Sequence, residues 1–351
     1  AERAADDLAA VVYTSGTTGK PKPVMLSHQN LQASVASEPR GATPEDDVSL
    51  LALPLAHLFG VRSLVGNYLF GGRSVLMRRF TAPEALRLIE RHRACEMAGV
   101  PSMFLHMLRV EEPYHISTMK RWRVSAGPLP ESACAAFTAR FGGVMLASYG
   151  LMEASGAVSA ERRSKRKAGS SGRALLGVRL AIVDDSGQAL APDEVGEIYT
   201  AGEHVARGYY GHTQASAAVF ADGWLRTGDV GYVDGEGYLF VLERKRDLIV
   251  SGGEVVYPRE VEEVLLQLPL VHECAVVAVP DPALGDSICA CVVADAALGG
   301  GALIAHCQTL LPAHKVPRHV EFVSALPRTA IGSVKRRALR AWATKQLASK
   351  S

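Results

Sequence analysis

The chain has 351 residues, 48% hydrophobic and 21% charged; these ordinary globular values exclude long disorder and fibrous repeats, and at about 100–200 residues per domain the length predicts two domains. Thirty-eight Lys and Arg against 36 Asp and Glu leave a net charge of +2, so no global field favours nucleic acid or an anionic membrane, and any anion-binding site must be local. No apolar run reaches the roughly 20 residues that span a bilayer, the opening AERAADDLAA lacks the regions of a secretory signal, and the six cysteines (Cys95, Cys134, Cys274, Cys289, Cys291, Cys307) form no C-x-x-C pair, which predicts a cytoplasmic chain with buried reduced thiols.

The first element is a strand, Leu8 to Tyr13, followed by TSGTTGKPKP and the short apolar run VML, which together predict a Gly-rich hairpin joining two buried strands. Helical spacing follows from Gln29 to about Ser37, then a turn-rich segment leads to SLLALPLAHLFG. Leu86 and Ile89 among charges predict an amphipathic helix from Pro83 to Arg93, and EMAGVPSMFLHML predicts a strand and a helix. Strands alternating with helices imply an α/β sheet. The basic run ERRSKRKAGSS (161–171) carries no interleaved aromatics and predicts a solvated loop rather than a nucleic-acid patch.

Beyond it the chain turns β-rich, with strands separated at Asp184–Gly187 and Asp234–Gly237. The charges Glu243–Asp247 mark a domain boundary. After them the pattern strand, helix (Pro258 to Leu268), two strands, helix (Ala302 to Leu311), strand, helix (Val334 to Leu347) predicts a small α+β domain.

Chemistry concentrates first in Thr14-Ser15-Gly16-Thr17-Thr18-Gly19-Lys20. Glycines let backbone N–H groups turn toward an anion, hydroxyls add donors and the lysine adds charge, which suits a polyphosphate. It is not a Walker A loop, because Lys20 precedes Pro21 rather than a hydroxyl. Alone, such a loop is equally consistent with a surface turn.

The wording YTSGTTGKPKPVMLSH resembles the phosphate loop of the adenylate-forming (ANL) superfamily, which includes acyl- and aryl-CoA synthetases. Further blocks resemble that family in its order: LPLAHLFG (53–60), VPSMFLHML (100–108), SAGPLP (125–130), SYGLMEAS (148–155), GEIYTAGEHVARGYY (196–210), WLRTGD (224–229), ERKRDLIVSGGEVVYPREVE (243–262) and LPRTAIGSVKRRAL (326–339). The resemblance implies the ANL fold, N-terminally shortened: a large AMP-binding α/β domain with a β-rich subdomain (1–243), a hinge (244–247) and a small mobile C-terminal α+β domain (248–351).

It also implies ATP, Mg²⁺ and coenzyme A as reactants, with a small carboxylic acid as substrate and a separate carrier protein as an alternative acyl acceptor. Thr14 to Lys20 would hold the β- and γ-phosphates, Tyr149 would stack on adenine with Gly127 on the base's other side, and Glu153 would hold Mg²⁺. Asp229 and Arg244 match the residues that contact the ribose, and Arg246 falls at the hinge. Gly252 and Gly253 match the pantetheine channel, and His57 a position beside the acyl pocket, the other reading of His57 being a hydrogen-bonded core histidine. The spacing from Asp229 to Arg244 leaves no room for the insertion of fatty-acyl-AMP ligases, which favours CoA.

Four residues depart from the family's pattern. Pro23 replaces a glycine, and Glu243 a glycine or aspartate. Met152 stands where most members carry a threonine that bonds the α-phosphate. Ser333 follows Gly332 where the family has its catalytic lysine, and serine cannot supply that charge. Loss of activity, deliberate replacement and rescue by Lys335 are all open. If residues 333–335 are extended, Lys335 points the same way as Ser333 about 7 Å further along. The same two departures motivate a third reading, a nucleotide- or acyl-binding homologue with little catalysis.

Overall fold

The computed structural model describes residues 2–14, 21–37, 47–127, 129–329 and 333–349. The chain forms two compact units, Ala1–Thr227 with Gly231–Val241, and Gly228–Val230 with Leu242–Ser351.

In the first unit a seven-stranded sheet runs in the order Arg73–Leu76, Val48–Leu51, Glu96–Gly99, Arg121–Val124, Val144–Leu151, Gly156–Ala160, Arg173–Ala174. The first five strands are parallel and the last two add antiparallel. Helices Leu58–Leu69, Ala82–His92, Pro101–Leu108 and Glu131–Phe141 connect successive strands, as alternating patterns require. Helix Ala82–His92 begins with Pro83 in its first turn, ends at left-handed Arg93 (φ 52°) and buries Ala85, Leu86 and Ile89. Phe104, Trp122 and Phe137 meet edge to face at 4.9–6.2 Å in the centre of the core. Each such side chain contributes about 1.5–3 kcal/mol when fully buried.

The amino ends of these strands are closed by charge. Arg121 bridges Glu96 at 2.6 Å and Asp47 at 2.7 Å, and Arg123 reaches Glu96 at 2.9 Å. The carboxyl ends carry the loops of the candidate site.

The hairpin Leu8–Tyr13 with Pro23–Ser27 forms, but as a separate two-stranded sheet, and only its second strand is buried. Leu8 and Tyr13 are 50% and 64% exposed, which corrects the expectation of two buried strands. Val24 and Leu26 pack on Leu58, Ala206 and Tyr209, whereas Leu8 and Tyr13 meet no apolar cluster among the described residues. The loop after Glu161 is exposed as expected. It is anchored by the buried Glu161 carboxylate, which accepts from the Ala147 and Lys167 amides.

A five-stranded sheet follows, in the order Arg179–Val183, Gly196–Ala201, Trp224–Val233, Phe220–Ala221, with Leu239–Arg244 paired to Trp224–Val233. Its turns are closed by Asp184 and Asp234, whose carboxylates accept from backbone amides two and four residues on.

The second unit is a sheet in the order Glu254–Val256, Ile249–Ser251, Gly285–Ala294, Val271–Asp281, with His319–Phe322 parallel to Gly285–Ala294. Alternation along Val271–Asp281 sends Val276 and Ala278 to helices Pro258–Leu265 and Gly300–Leu310, and Ala275, Val277 and Val279 to helix Arg336–Ala348. Cys289 and Cys291, two apart, share the second face, and no disulfide joins any of the cysteines among the described residues. The strand Glu254–Val256 is additional to the elements expected. No helix among the described residues is long and apolar enough to cross a membrane.

Candidate active site

In the first unit the expected residues lie at the carboxyl ends of three of the parallel strands: His57 after Val48–Leu51, Gly127 after Arg121–Val124, Tyr149 and Glu153 at the end of Val144–Leu151. The strand order reverses between Val48–Leu51 and Glu96–Gly99, since the chain goes out to Arg73–Leu76 on one side and returns on the other. Crevices of doubly wound sheets open at such a point, beyond the carboxyl ends.

His57 caps helix Leu58–Leu69: its Nδ1 accepts from the Phe59 amide at 3.2 Å. Burial pushes its pKa down, so the neutral ring carries its proton on Nε2. The residue is thus a hydrogen-bonded cap that still presents a donor.

Tyr149 lies at a bulge opposite Gly156–Ala160 and packs against Ala154, Val158 and Leu225. A Cβ on the adjacent Gly150 would lie 2.1 Å from the Gly156 carbonyl, so the close approach at the bulge demands glycine. At Gly127 the opposite holds. A Cβ there would meet only Pro101, at 3.5 Å, and its φ is not left-handed, so the described residues do not require glycine and the space beside it is open. The preceding Ala126 is held at φ 65°, a strained conformation for alanine, and Ser125 ties this loop to the neighbouring strand by donating to the Ser148 carbonyl at 3.0 Å.

Glu153 sits in the single 3-10 turn Met152–Ala154. Its Oε1 accepts from the hydroxyl of buried Tyr209 at 2.8 Å, and its carbonyl accepts from the Ala206 amide at 2.8 Å. Burial and the Glu153 charge push the Tyr209 hydroxyl well up, so it stays a donor. Lys22 places its ammonium 4.9 Å from the centre of the Tyr209 ring. No cluster of three or more His, Cys, Asp or Glu that could hold a metal forms among the described residues. The single oriented carboxylate of Glu153 is an oxygen donor of the type that suits a hard cation completing its shell with phosphate oxygens and water. Met152 packs against Val24, Leu26, Leu58 and Tyr209, so an apolar contact occupies the position of the expected hydroxyl.

Ser15, Gly16, Thr17, Thr18, Gly19 and Lys20 lie outside the described residues. Thr14 is described: its amide donates to the Lys22 carbonyl and its hydroxyl accepts from the Lys22 amide, at 3.0 and 3.1 Å, closing the hairpin.

In the second unit, Asp229 and Arg244 are paired with each other, Arg244 Nε lying 3.1 Å from the buried Asp229 Oδ1. Arg246 lies in the 3-10 turn Lys245–Asp247. Gly252 and Gly253, at φ 60° and 87°, form the two-residue turn between Ile249–Ser251 and Glu254–Val256. Their left-handed backbone alone calls for glycine, by the rule for tight hairpins. Ser333 belongs to a second hairpin. Its carbonyl accepts from the Thr329 amide at 2.8 Å, its amide donates to Thr329 Oγ1 at 3.2 Å, Val334 bridges to Arg328, and the Lys335 amide donates to the Pro327 carbonyl. Ser333 and Val334 are therefore bridged as in a strand, while Lys335, at φ −82° and ψ 74°, is the N-cap of helix Arg336–Ala348. Glu243 is a buried acid whose pKa is raised by burial, facing Arg336 at 3.7 Å, while Arg336 forks onto Glu262 at 2.6 and 3.0 Å.

Sequence reading did not single out Tyr209 and Lys22. The signal for both lay inside quoted motifs, but their link to Glu153 spans more than fifty residues of chain.

The family model for AMP-binding enzymes matches residues 1–210, and that for the AMP-binding enzyme C-terminal domain matches residues 260–333. The chain is 38% identical over 336 residues to the 2-succinylbenzoate–CoA ligase of Bacillus pumilus, covering 95% of this chain and 68% of the relative. It is 36% identical over 348 residues to the long-chain-fatty-acid–CoA ligase of Bacillus subtilis, covering 95% of this chain and 61% of the relative. Its fold matches the o-succinylbenzoate coenzyme A synthetase of Bacillus subtilis in complex with ATP and magnesium ion, at a TM-score of 0.88 and 35% identity, over 96% of this chain and 70% of that one. The chain thus spans between three fifths and seven tenths of the length of these proteins. With the fold, the ordered motifs and both family models in agreement, the chain belongs to the AMP-binding enzyme family, the adenylate-forming superfamily of acyl- and aryl-CoA ligases.

Proposed function

We propose that the chain is an ATP-dependent acyl- or aryl-CoA ligase, which activates a carboxylic acid as acyl-AMP with release of pyrophosphate and then passes the acyl group to the thiol of coenzyme A. The observation that carries this reading is the succession of His57, Gly127, Tyr149 and Glu153 along the carboxyl edge of one parallel sheet. His57, neutral with its proton on Nε2, donates to an oxygen of the bound acid. Tyr149 stacks on adenine, and the open space at Gly127 admits the other face of the base. Residues 14–20 hold the β- and γ-phosphates. Glu153, its carboxylate oriented by the Tyr209 hydroxyl, holds Mg²⁺, which when bound neutralises charge on the phosphate oxygens.

In the second unit Asp229 accepts from the ribose hydroxyls beside Arg244. Gly252 and Gly253 border the path of the pantetheine arm, and Arg246 serves as the hinge for the turn between half-reactions. Ser333 gives the adenylation step no cation. Lys335, the N-cap of helix Arg336–Ala348 two residues further on, is the nearest cation in sequence that could rescue it.

Ser333 and Met152 favour a second reading, a homologue that binds nucleotide and acyl group with little turnover. Pyrophosphate release measured over a panel of aryl and fatty acids, with and without CoA, tests both. CoA-dependent formation of an acyl thioester supports the ligase. ATP binding without pyrophosphate release supports the second reading, and acyl transfer only to an added carrier protein makes the acceptor a protein instead of CoA.

A further inference from the structure

Arg62 lies in helix Leu58–Leu69, five residues after His57, and is only 5% exposed. A guanidinium is costly to bury unless its donors are used. Arg62 Nε donates to Ser34 Oγ at 2.6 Å, and Nη2 donates to the Ser34 carbonyl at 2.7 Å. The Ser34 hydroxyl in turn donates to the Ser155 carbonyl at 2.6 Å. Ser155 is fully buried, stands in the left-handed region at φ 54° and closes the 3-10 turn that carries Glu153.

The next residue is shaped to the same guanidinium. Gly156 has φ 125°, and a Cβ there would lie 2.4 Å from Arg62 Cδ and 2.7 Å from Arg62 Nε. The helix His28–Ala36 that supplies Ser34 is fixed at its other end by Asn30, whose amide donates to the carbonyls of Glu203 and Val205 at 2.7 and 2.8 Å. The following Ala206 amide holds the Glu153 carbonyl. Both sides of the Glu153 turn therefore lead back to one short helix, and Arg62 anchors that helix where it touches the turn. His204, in the same segment, is buried and stays neutral beside this charge, its pKa pushed down to about 4 by burial and by Arg62.

We propose that Arg62 is a positioning residue for adenylation: through the Ser34 hydroxyl it fixes the backbone of the turn that presents Glu153, so that the carboxylate meets the cation of a metal–nucleotide complex in one orientation. This rests on the reading of Glu153 as the Mg²⁺ ligand.

The test is calorimetric titration of MgCl₂ into the chain with ATP, and of ATP in EDTA, for the unsubstituted chain, Arg62→Met, Arg62→Lys and Ser34→Ala. Arg62→Met and Ser34→Ala are each expected to raise the Mg²⁺ concentration for half-maximal binding about 10-fold, as loss of an outer-shell support does, with ATP binding in EDTA unchanged. Arg62→Lys recovers part of the loss, and the double variant is no worse than the worse single, since both cut one chain of bonds. Unchanged Mg²⁺ dependence in folded variants overturns the proposal, as does equal weakening with and without Mg²⁺, which marks a purely structural role. If Arg62→Met does not fold, Ser34→Ala decides. If the unsubstituted chain binds ATP without any dependence on Mg²⁺, the assignment of Glu153 falls first and takes this proposal with it.

Discussion

Met152 and Ser333 both stand where a polar side chain directed at phosphate is expected, and their surroundings differ. Met152 is half-buried against the cluster formed by Val24, Leu26, Leu58, Ala206 and Tyr209, on the turn that carries Glu153. Ser333 sits on a hairpin held by bonds between Thr329, Ser333, Pro327 and Lys335, and it is Val334 beside it that packs on the apolar cluster of Leu326 and Leu339. One replacement is half-buried against an apolar cluster and the other rests on a backbone that would accept another side chain. Stability should therefore resist reversal of the first, and activity alone should register reversal of the second.

The largest expected effect tests the unpacked side. Ser333→Lys should raise pyrophosphate release by roughly a thousandfold, the scale of restoring one charged group to a developing phosphate charge, with the melting temperature unchanged. Steady-state kinetics and a thermal melt check it. Should Ser333→Lys gain little while Lys335→Ala abolishes turnover, the hairpin already supplies its cation from Lys335 and the contrast between the two departures collapses.

The packed side carries a pH signature of the same kind. His204 is folded with a pKa near 4 against 6.5 for the free side chain, so the unfolded chain binds the extra proton first. Stability should be full above about pH 6.5 and fall as pH drops toward 4, by at most about 3 kcal/mol from this group. Urea unfolding at several pH values should show that decline, and His204→Gln should flatten it.

What the sequence made legible follows the range of the forces involved. The spacing of Leu86 and Ile89 fixes helix Ala82–His92, and the continuous apolar run from Cys274 to Val279 marks a strand, which the structure buries on both faces. Both are local patterns that burial dictates. The site was legible as motifs, but its supports were not. Tyr209 reaches Glu153 from 56 residues away, and Ser34 reaches Ser155 from 121 residues away. Nothing local in an apolar helix tells that Arg62 is buried with partners. The exposure of Leu8 and Tyr13 was misread because an apolar run reports strand propensity without reporting which layer covers it. Gly252 and Gly253 were read for the room they leave, whereas their φ values show that the turn itself needs them.

Met152→Thr comes next in size. It trades a packed thioether for a smaller side chain and places a hydroxyl among Val24, Leu26 and Leu58, at a cost of about 2 kcal/mol in urea unfolding. Any gain in adenylation from the hydroxyl would appear beside that loss. A loss below the error of the measurement would show that the cluster relaxes around residue 152, and the two departures would then be alike.

The smallest effect separates backbone from space at the Gly252–Gly253 hairpin. A Cβ on Gly253 would meet nothing within 4 Å, so Gly253→Ala tests only the left-handed backbone at φ 87°. It should cost about 1 kcal/mol. Asparagine tolerates this region better than alanine, so Gly253→Asn should recover most of that stability. If the turn also borders the path of the thiol arm, Gly253→Asn should still raise KM for CoA while leaving pyrophosphate release in the absence of CoA unchanged, because the added side chain obstructs only the second half-reaction. Recovery of both stability and CoA use by asparagine would reduce Gly253 to a turn residue, and would leave the hairpin as another place, like Ser333, where the backbone sets the fold and the side chain is free to vary.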